Sequence, residues 1–361
     1  MPGDRFLITR RRLMGGLGAC LFLPGSRPRL TSSARAADDA TPTVAISFPW
    51  DDGPHDALTE WWYYTGHLET ADGALYGFEQ VTFKGRRGIL AGQVSHVAIT
   101  DVRRQRFSYD QRALLDETVI AKPGPGFDLA IGNWSMKGVN GTDELTMVLP
   151  DYTYALRLDA RKVPVLHGGD GYVGGHAEAE SYYYSRTRLS VSGTLTVDGL
   201  ESAVTGEAWM DHQWGSFTSF SEGGWDWFSI QLEDDTEVMV YQLRDGADNP
   251  SLGVGTYVHA DGTAVDLASV DVDVEVDATW ISPHSGATYP IAWTVRLPGE
   301  DLTLRLEPTM HDQELDTRQT TGVTYWEGQV EVIGSRGGAP VRGRGYAELT
   351  GYARERDGIV P

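Results

Sequence analysis

Beyond residue 44 the chain alternates. In Asp271-Val272-Asp273-Val274-Glu275-Val276 three valines fall on one face of an extended segment and three acids on the other, the period-2 signature of a half-buried strand. Leu302-Thr303-Leu304-Arg305-Leu306 repeats it. Long helical periods are scarce. Ala71-Asp72-Gly73, Asn140-Gly141, Asp198-Gly199, Asp261-Gly262 and Gly337-Gly338 separate the short apolar runs with turn chemistry. Many short strands joined in this way predict an all-β chain of antiparallel barrels or sandwiches.

The pattern is duplicated. Trp61-Trp62-Tyr63-Tyr64, His67-Leu68-Glu69, Asp72 and Tyr76-Gly77-Phe78-Glu79-Gln80 form one hairpin-like block. Trp225-Asp226-Trp227-Phe228, Gln231-Leu232-Glu233, Asp235 and Met239-Val240-Tyr241-Gln242-Leu243 repeat it, aligned with one residue deleted. A weaker match sets Gly206-Glu207-Ala208-Trp209-Met210 against Gly345-Tyr346-Ala347-Glu348-Leu349, which puts Thr350-Gly351-Tyr352 opposite Asp211-His212-Gln213. One block opens each unit and the other closes it. Two similar β domains follow, residues 44–218 and 221–361, with a boundary near Ser216 to Gly224.

Composition narrows the function. With 40% hydrophobic and 22% charged residues, a packed core is expected. A net charge of −21 argues against a broad nucleic-acid or anionic-membrane surface, both of which need clustered positive charge. The single cysteine, Cys20, excludes an internal disulfide. Residues 1–36 read as an export signal: Arg10-Arg11-Arg12 precedes the apolar stretch Leu13 to Leu23, in twin-arginine order, and 37–43 read as a leader. Two processing sites compete. Ala34-Arg35-Ala36 fits signal cleavage and is favoured; Leu17-Gly18-Ala19-Cys20 looks like a lipobox that would leave Cys20 lipidated. Either cut implies work outside the cytoplasm, periplasmic or extracellular, with membrane attachment only through a lipid on Cys20.

The segments EWWYYTGHL, SYYYSRTRL, GEAWMDHQWG and WDWFSIQL closely resemble the AttH-like proteins, relatives of the carotenoid 1,2-hydratase (CrtC) family, from about Phe48 to Tyr352. The resemblance implies two tandem lipocalin-like β-barrels. It also implies an ABC-type transporter as partner, and a hydrolase label that no nucleophile–base set in this chain supports. In the carotenoid hydratases a His-x-Trp pair and a Tyr-x-Asp on a second-domain strand go with activity. His212-Gln213-Trp214 matches the first and Tyr241 the tyrosine, but Leu243 falls where the acid should be.

The residues themselves point to an apolar ligand. Trp62 and Tyr64, like Trp225 and Trp227, stand at alternate strand positions, so each pair of rings shares a face suited to such a molecule. Ordinary core packing is the competing account for each ring. If the strand through residue 214 is regular, Ala208, Met210, His212 and Trp214 share one face, and Glu207, Trp209, Asp211 and Gln213 the other. An imidazole beside an indole can transfer a proton and the ring can hold a cation, which makes His212 and Trp214 catalytic candidates, with Tyr241 orienting the substrate. Hydration of a C=C bond needs a proton donor, typically a buried carboxylic acid; leucine is none, so Glu79, Asp211 and Asp226 remain as substitutes. There is no G-x-S-x-G elbow, H-E-x-x-H or H-x-H, so neither a cofactor nor a metal is expected. His167 and His176 flank a Gly-rich loop that reads as a cover over a pocket mouth. Three functions stay open: an exported carrier of a lipid or isoprenoid-like molecule; a hydratase, isomerase or cyclase acting on an isoprenoid or polyene; and, on the family label alone, a secreted hydrolase.

Overall fold

The computed structural model describes residues 45–87, 90–115, 124–173, 180–216, 223–245 and 250–353. The twin-arginine segment, Cys20 and His176 lie outside them. Among the described residues the alternation is realised as two antiparallel sheets, and the helical pieces are the one-turn segments Trp50–Asp52 and Pro298–Glu300. The chain is all-β, with two tandem lipocalin-like barrels.

The first sheet holds β1 (Thr59–Thr70), β2 (Leu75–Arg87), β3 (Leu90–Asp101), β4 (Arg106–Leu115), β5 (Phe127–Ile131), β6 (Trp134–Val139), β7 (Thr142–Val148), β8 (Tyr152–Ala160), the short β9 (Val165–Leu166) and β10 (Tyr172–Val173), β11 (Ser181–Val197) and β12 (Leu200–Gly215). Its order is β4-β3-β2-β1-β12-β11-β8-β7-β6-β5. The second holds β13 (Trp225–Leu232), β14 (Glu237–Arg244), β15 (Pro250–Val258), β16 (Ala264–Ala268), β17 (Asp273–Ile281), β18 (Thr288–Leu297), β19 (Leu302–Pro308), the short β20 (Glu314–Asp316), β21 (Thr324–Arg336) and β22 (Ala339–Thr350). Its order is β16-β15-β14-β13-β22-β21-β19-β18-β17. In each sheet the opening strand pairs with the closing one, β1 with β12 and β13 with β22.

Strand register corrects the repeat in detail. Tyr63 pairs with Val81 and Trp227 with Tyr241, so the counterpart of Tyr241 is Val81 and not Phe78. The second hairpin is four residues shorter, not one. The resulting three-residue error is odd, and an odd slip moves every side chain to the other face: Phe78 lies inside the first barrel, whereas Tyr241 lies between the sheets. Likewise Trp62 pairs with His212 and Asp226 with Leu349, which sets Asp211 opposite Glu348 in the repeat, not opposite Thr350. Both halves therefore keep an acid at this place.

Three cores result. One fills the first barrel around Trp62, Tyr64, Phe78, Trp134 and Tyr154, and one fills the second around Phe228, Trp293 and Trp326. The third is a seam between the sheets: Tyr63, Val81, Tyr183 and Trp209 from the first meet Trp227, Met239 and Tyr346 from the second. Strands β1, β2, β11, β12, β13, β14, β21 and β22 bury both faces over at least part of their length, so their sequences lose the clean alternation there. Hydrogen bonds cross the seam from Gln231 Nε2 to the Thr187 and Ala208 carbonyls, at 2.7 and 3.0 Å. At one end Glu237, wholly buried, accepts from Arg188 Nε at 2.6 Å and from Lys162 Nζ at 2.8 Å. His167 is pinned there too, Nδ1 to Thr256 Oγ1 at 2.8 Å and Nε2 to Ser185 Oγ at 2.6 Å. It ties the sheets together and is no part of an open cover.

Gly77 marks how closely the sheets approach, because a Cβ there would strike the Tyr346 hydroxyl and Gln329. Gly77→Ala should cost about 1–3 kcal/mol in urea unfolding. Gly299→Ala, with open space around it, should stay within about 0.5 kcal/mol of the parent. Equal effects at both positions would mean that the sheets are not packed at Gly77.

Candidate active site

Alternation decides what the seam receives. On β1 the odd positions Tyr63, Thr65 and His67 face it, on β2 Gly77, Glu79 and Val81, on β21 Tyr325, Glu327 and Gln329, and on β22 Tyr346 and Glu348. Glu79 and Glu327 are each 1% exposed. Tyr63 Oη donates to Glu327 Oε1 at 2.7 Å and Tyr325 Oη to Glu79 Oε1 at 3.2 Å. Among the described residues the second oxygen of each carboxyl, Oε2, has no partner, and neither do Gln329 Oε1, Thr65 Oγ1 and His67 Nδ1 in the same region. Native interiors leave few such atoms; here several converge.

Burial sets the protonation. It raises Glu79 to about 8, with the Glu348 charge adding to the rise and the Tyr325 hydrogen bond opposing it. Glu327 is pushed well above the usual carboxylate range by burial, then by Glu348 and Glu79. Glu348 rises to about 7 through burial, against a hydrogen bond from Trp225. Like charges this close cannot all ionise, so the group holds protons at neutral pH. Asp211, alongside, is raised to about 6 by burial although three donors oppose it: Tyr183 at 2.6 Å, Trp209 Nε1 at 2.6 Å and Ser185. Its neighbour Tyr183 accepts from Trp227 Nε1 across the seam at 3.2 Å. His67 and His96 are lowered to about 3, chiefly by burial, and are neutral. The seam thus offers carboxylic acids, phenols and indoles screened from water, the equipment of general acid–base chemistry.

The residues singled out by sequence fall in three places. Glu79, Asp211, Tyr241, Trp225 and Trp227 all face the seam. Asp226 faces the other way, ion-paired with Arg244 and accepting from Tyr352 Oη at 3.0 and 3.1 Å, so it lies apart from the seam acids. His212, Trp214, Trp62 and Tyr64 lie on the interior side of β12 and β1. His212 and Trp214 are therefore not brought together with Tyr241, and the four aromatic candidates do not line one wall. Trp62 and Tyr64 are wholly buried with their polar ends bound, to the Asp52 carbonyl at 3.1 Å and to Asp143 at 2.9 Å, as core residues are.

His212 has its own setting at the mouth of the first barrel. Its Nε2 lies 3.0 Å from Glu60 Oε1, and His55 Nδ1 lies 2.8 Å from the same oxygen. Trp62 stacks on His212 at 4.4 Å and Trp214 on His55 at 3.9 Å between ring centroids. Burial alone would raise Glu60; hydrogen bonds and charge from His212 and His55 outweigh it and lower the carboxyl. His212 is lowered, first by burial, against Glu60. Sequence reasoning passed over Glu60, His55, Glu327 and Glu348. A polar residue in a strand whose two faces are both aromatic, as in Tyr325-Trp326-Glu327-Gly328-Gln329, is the signal that could have found two of them.

A family model described as AttH-like matches residues 39–352. A solved structure from Nitrosomonas europaea, assigned to AttH, is 33% identical, covers 88% of this chain and 99% of its own, and superposes with a TM-score of 0.78. Kievitone hydratase from Nectria haematococca shares the fold at a TM-score of 0.68 and 17% identity, over 85% of this chain and 93% of its own. A curated relative, the dehydratase asqC of Emericella nidulans, is 24% identical over 235 residues, 59% of this chain; the chain spans only 63% of that relative's length. With matching motifs, matching fold and a family model over most of its length, the chain belongs to the AttH-like family.

Proposed function

We propose that the protein is an exported lyase of the hydratase–dehydratase type that holds an apolar, unsaturated small molecule in the seam between its barrels. The reading rests on one observation: Glu79 and Glu327 are buried acids held protonated, each with one oxygen bonded by a tyrosine and the other without a protein partner. A carrier of apolar cargo has no use for such groups. Support also comes from the names of two relatives, a hydratase and a dehydratase. In hydration the Glu79 carboxyl gives its proton to one alkene carbon. The cation that develops at the other is stabilised by the aromatic faces on the acidic side of the seam, Tyr63 on Glu327 among them. Water adds there and surrenders a proton to a neighbouring carboxylate, Glu348 being the most acidic of the three glutamates. Dehydration is the reverse. Leu243 does not remove the acid from this scheme, since the donor stands on β2 and not on β14. Export rests on the Arg10-Arg11-Arg12 segment.

The experiment is incubation of the mature protein with a panel of isoprenoid, polyene and enone compounds, read by mass spectrometry for gain or loss of one water. Against an accepted compound, Glu79→Gln should lower kcat by about 100-fold or more with KM little changed, and wild-type activity should fall as pH rises through about 8. A Glu79→Gln variant at parental rate would refute the assignment.

Stability carries the same protonation. A raised carboxyl keeps its proton in the folded chain after the unfolded chain has lost it, so stability falls as pH rises from the ordinary carboxylate range to the raised value. Buried His67, His96 and His167, all lowered to about 3, act oppositely, but only up to the ordinary histidine range near 6.5. Between pH 6.5 and 8 the carboxyls act unopposed by these histidines. Urea unfolding should therefore show stability declining over that interval, and Glu79→Gln should flatten the decline. A rise over the same interval, unaltered in the variant, would contradict protonated seam acids.

A further inference from the structure

We propose that His55, Glu60 and His212 form a site for a first-row divalent transition ion at the mouth of the first barrel, separate from the seam. One ligand atom from each of the three lies within 4.8 Å of the others. Two imidazoles and a carboxylate suit zinc, cobalt or nickel, whereas magnesium and calcium prefer oxygen alone.

The surroundings fit an ion better than they fit a simple hydrogen-bonded pair. Both imidazoles direct a nitrogen at one oxygen, Glu60 Oε1, and their remaining nitrogens are held from outside. Asp51 Oδ1 lies 3.1 Å from His55 Nε2. Tyr184 Oη lies 3.3 Å from His212 Nδ1 and itself donates to Asp52 at 2.8 Å. Outer carboxylates and hydroxyls of this kind fix the tautomer and orientation of metal-ligating histidines. With an ion bound, Asp51 would hold the His55 proton on Nε2 and free Nδ1, which in the ion's absence donates to Glu60, to ligate it. The second Glu60 oxygen, Oε2, lies 3.8 Å from Lys84 Nζ. Trp62 and Trp214 wall the site, stacked on the two rings, and His55 is the part-exposed member through which an ion would enter. Neither histidine belongs to a metal-ligand spacing motif: one precedes β1 and the other lies on β12, and the β1–β12 pairing joins them.

The test is titration of the metal-free mature protein with Co²⁺, followed by its visible d–d absorption and by calorimetry. One ion per chain with nitrogen–oxygen coordination is expected. His55→Ala should weaken binding by about 100-fold or more, and Asp51→Asn, which removes only an outer partner, by about 10-fold. His55 is partly open, so its variant should fold even if Glu60→Gln does not, and circular dichroism checks this. Absence of binding at millimolar Co²⁺ would overturn the proposal. So would binding unchanged in His55→Ala, which would place the ion elsewhere, for instance at His284 and Asp312 on the surface.

Discussion

Carboxyl groups shut between two sheets cannot all be charged, and much of this molecule is arranged around that constraint. Two unpaired anions in a dry seam would force the sheets apart. Protonation removes most of the cost and turns each acid into a hydrogen-bond donor. Tyr63 and Tyr325 then anchor one oxygen of Glu327 and of Glu79 from the opposite sheet. The contrast with Glu237 is instructive. That acid lies in the same interface, but Arg188 and Lys162 bracket it, so it is a pair member that fastens the barrels. Among the described residues no cation stands against Glu79 or Glu327, and they keep their protons instead.

Duplication explains why the acids lie where they do. Each half contributes one at the same place on its closing strand, Asp211 on β12 and Glu348 on β22. The others break the symmetry. Glu79 stands where the second half has Met239, and Glu327 where the first half has Ser185. The acidic group is thus offset from the pseudo-symmetric centre, and the opposite end is filled by indoles and the Tyr183–Asp211 contact. A symmetric frame thus carries an asymmetric group of acids.

The all-β class was legible in the sequence because it depends on period and turns, both local, whereas the lipocalin-like barrels followed from the family resemblance. The facing of β12 was legible too: His212 and Trp214 do look one way, and Trp209 and Asp211 the other. What sequence missed depends on register. An alignment that slipped Tyr241 by three residues put it on the wrong face relative to Phe78, and one that slipped Glu348 by two hid the acid shared by both halves. Glu327 escaped for a different reason. Its strand buries both faces, so no alternation distinguished the seam side from the barrel interior. The His55–Glu60–His212 group could not be read from spacing, since hydrogen bonding between the first and last strands of one sheet assembles it.

The most direct test of the central claim is difference infrared spectroscopy of the carboxylic C=O stretch, comparing neutral with strongly alkaline solution. The account predicts a protonated-carboxyl band at neutral pH that disappears on alkalinisation and is reduced in Glu79→Gln and in Glu327→Gln. A spectrum without protonated carboxyls at neutral pH would mean that the seam acids are ionised, and the chemistry assigned to them would fall.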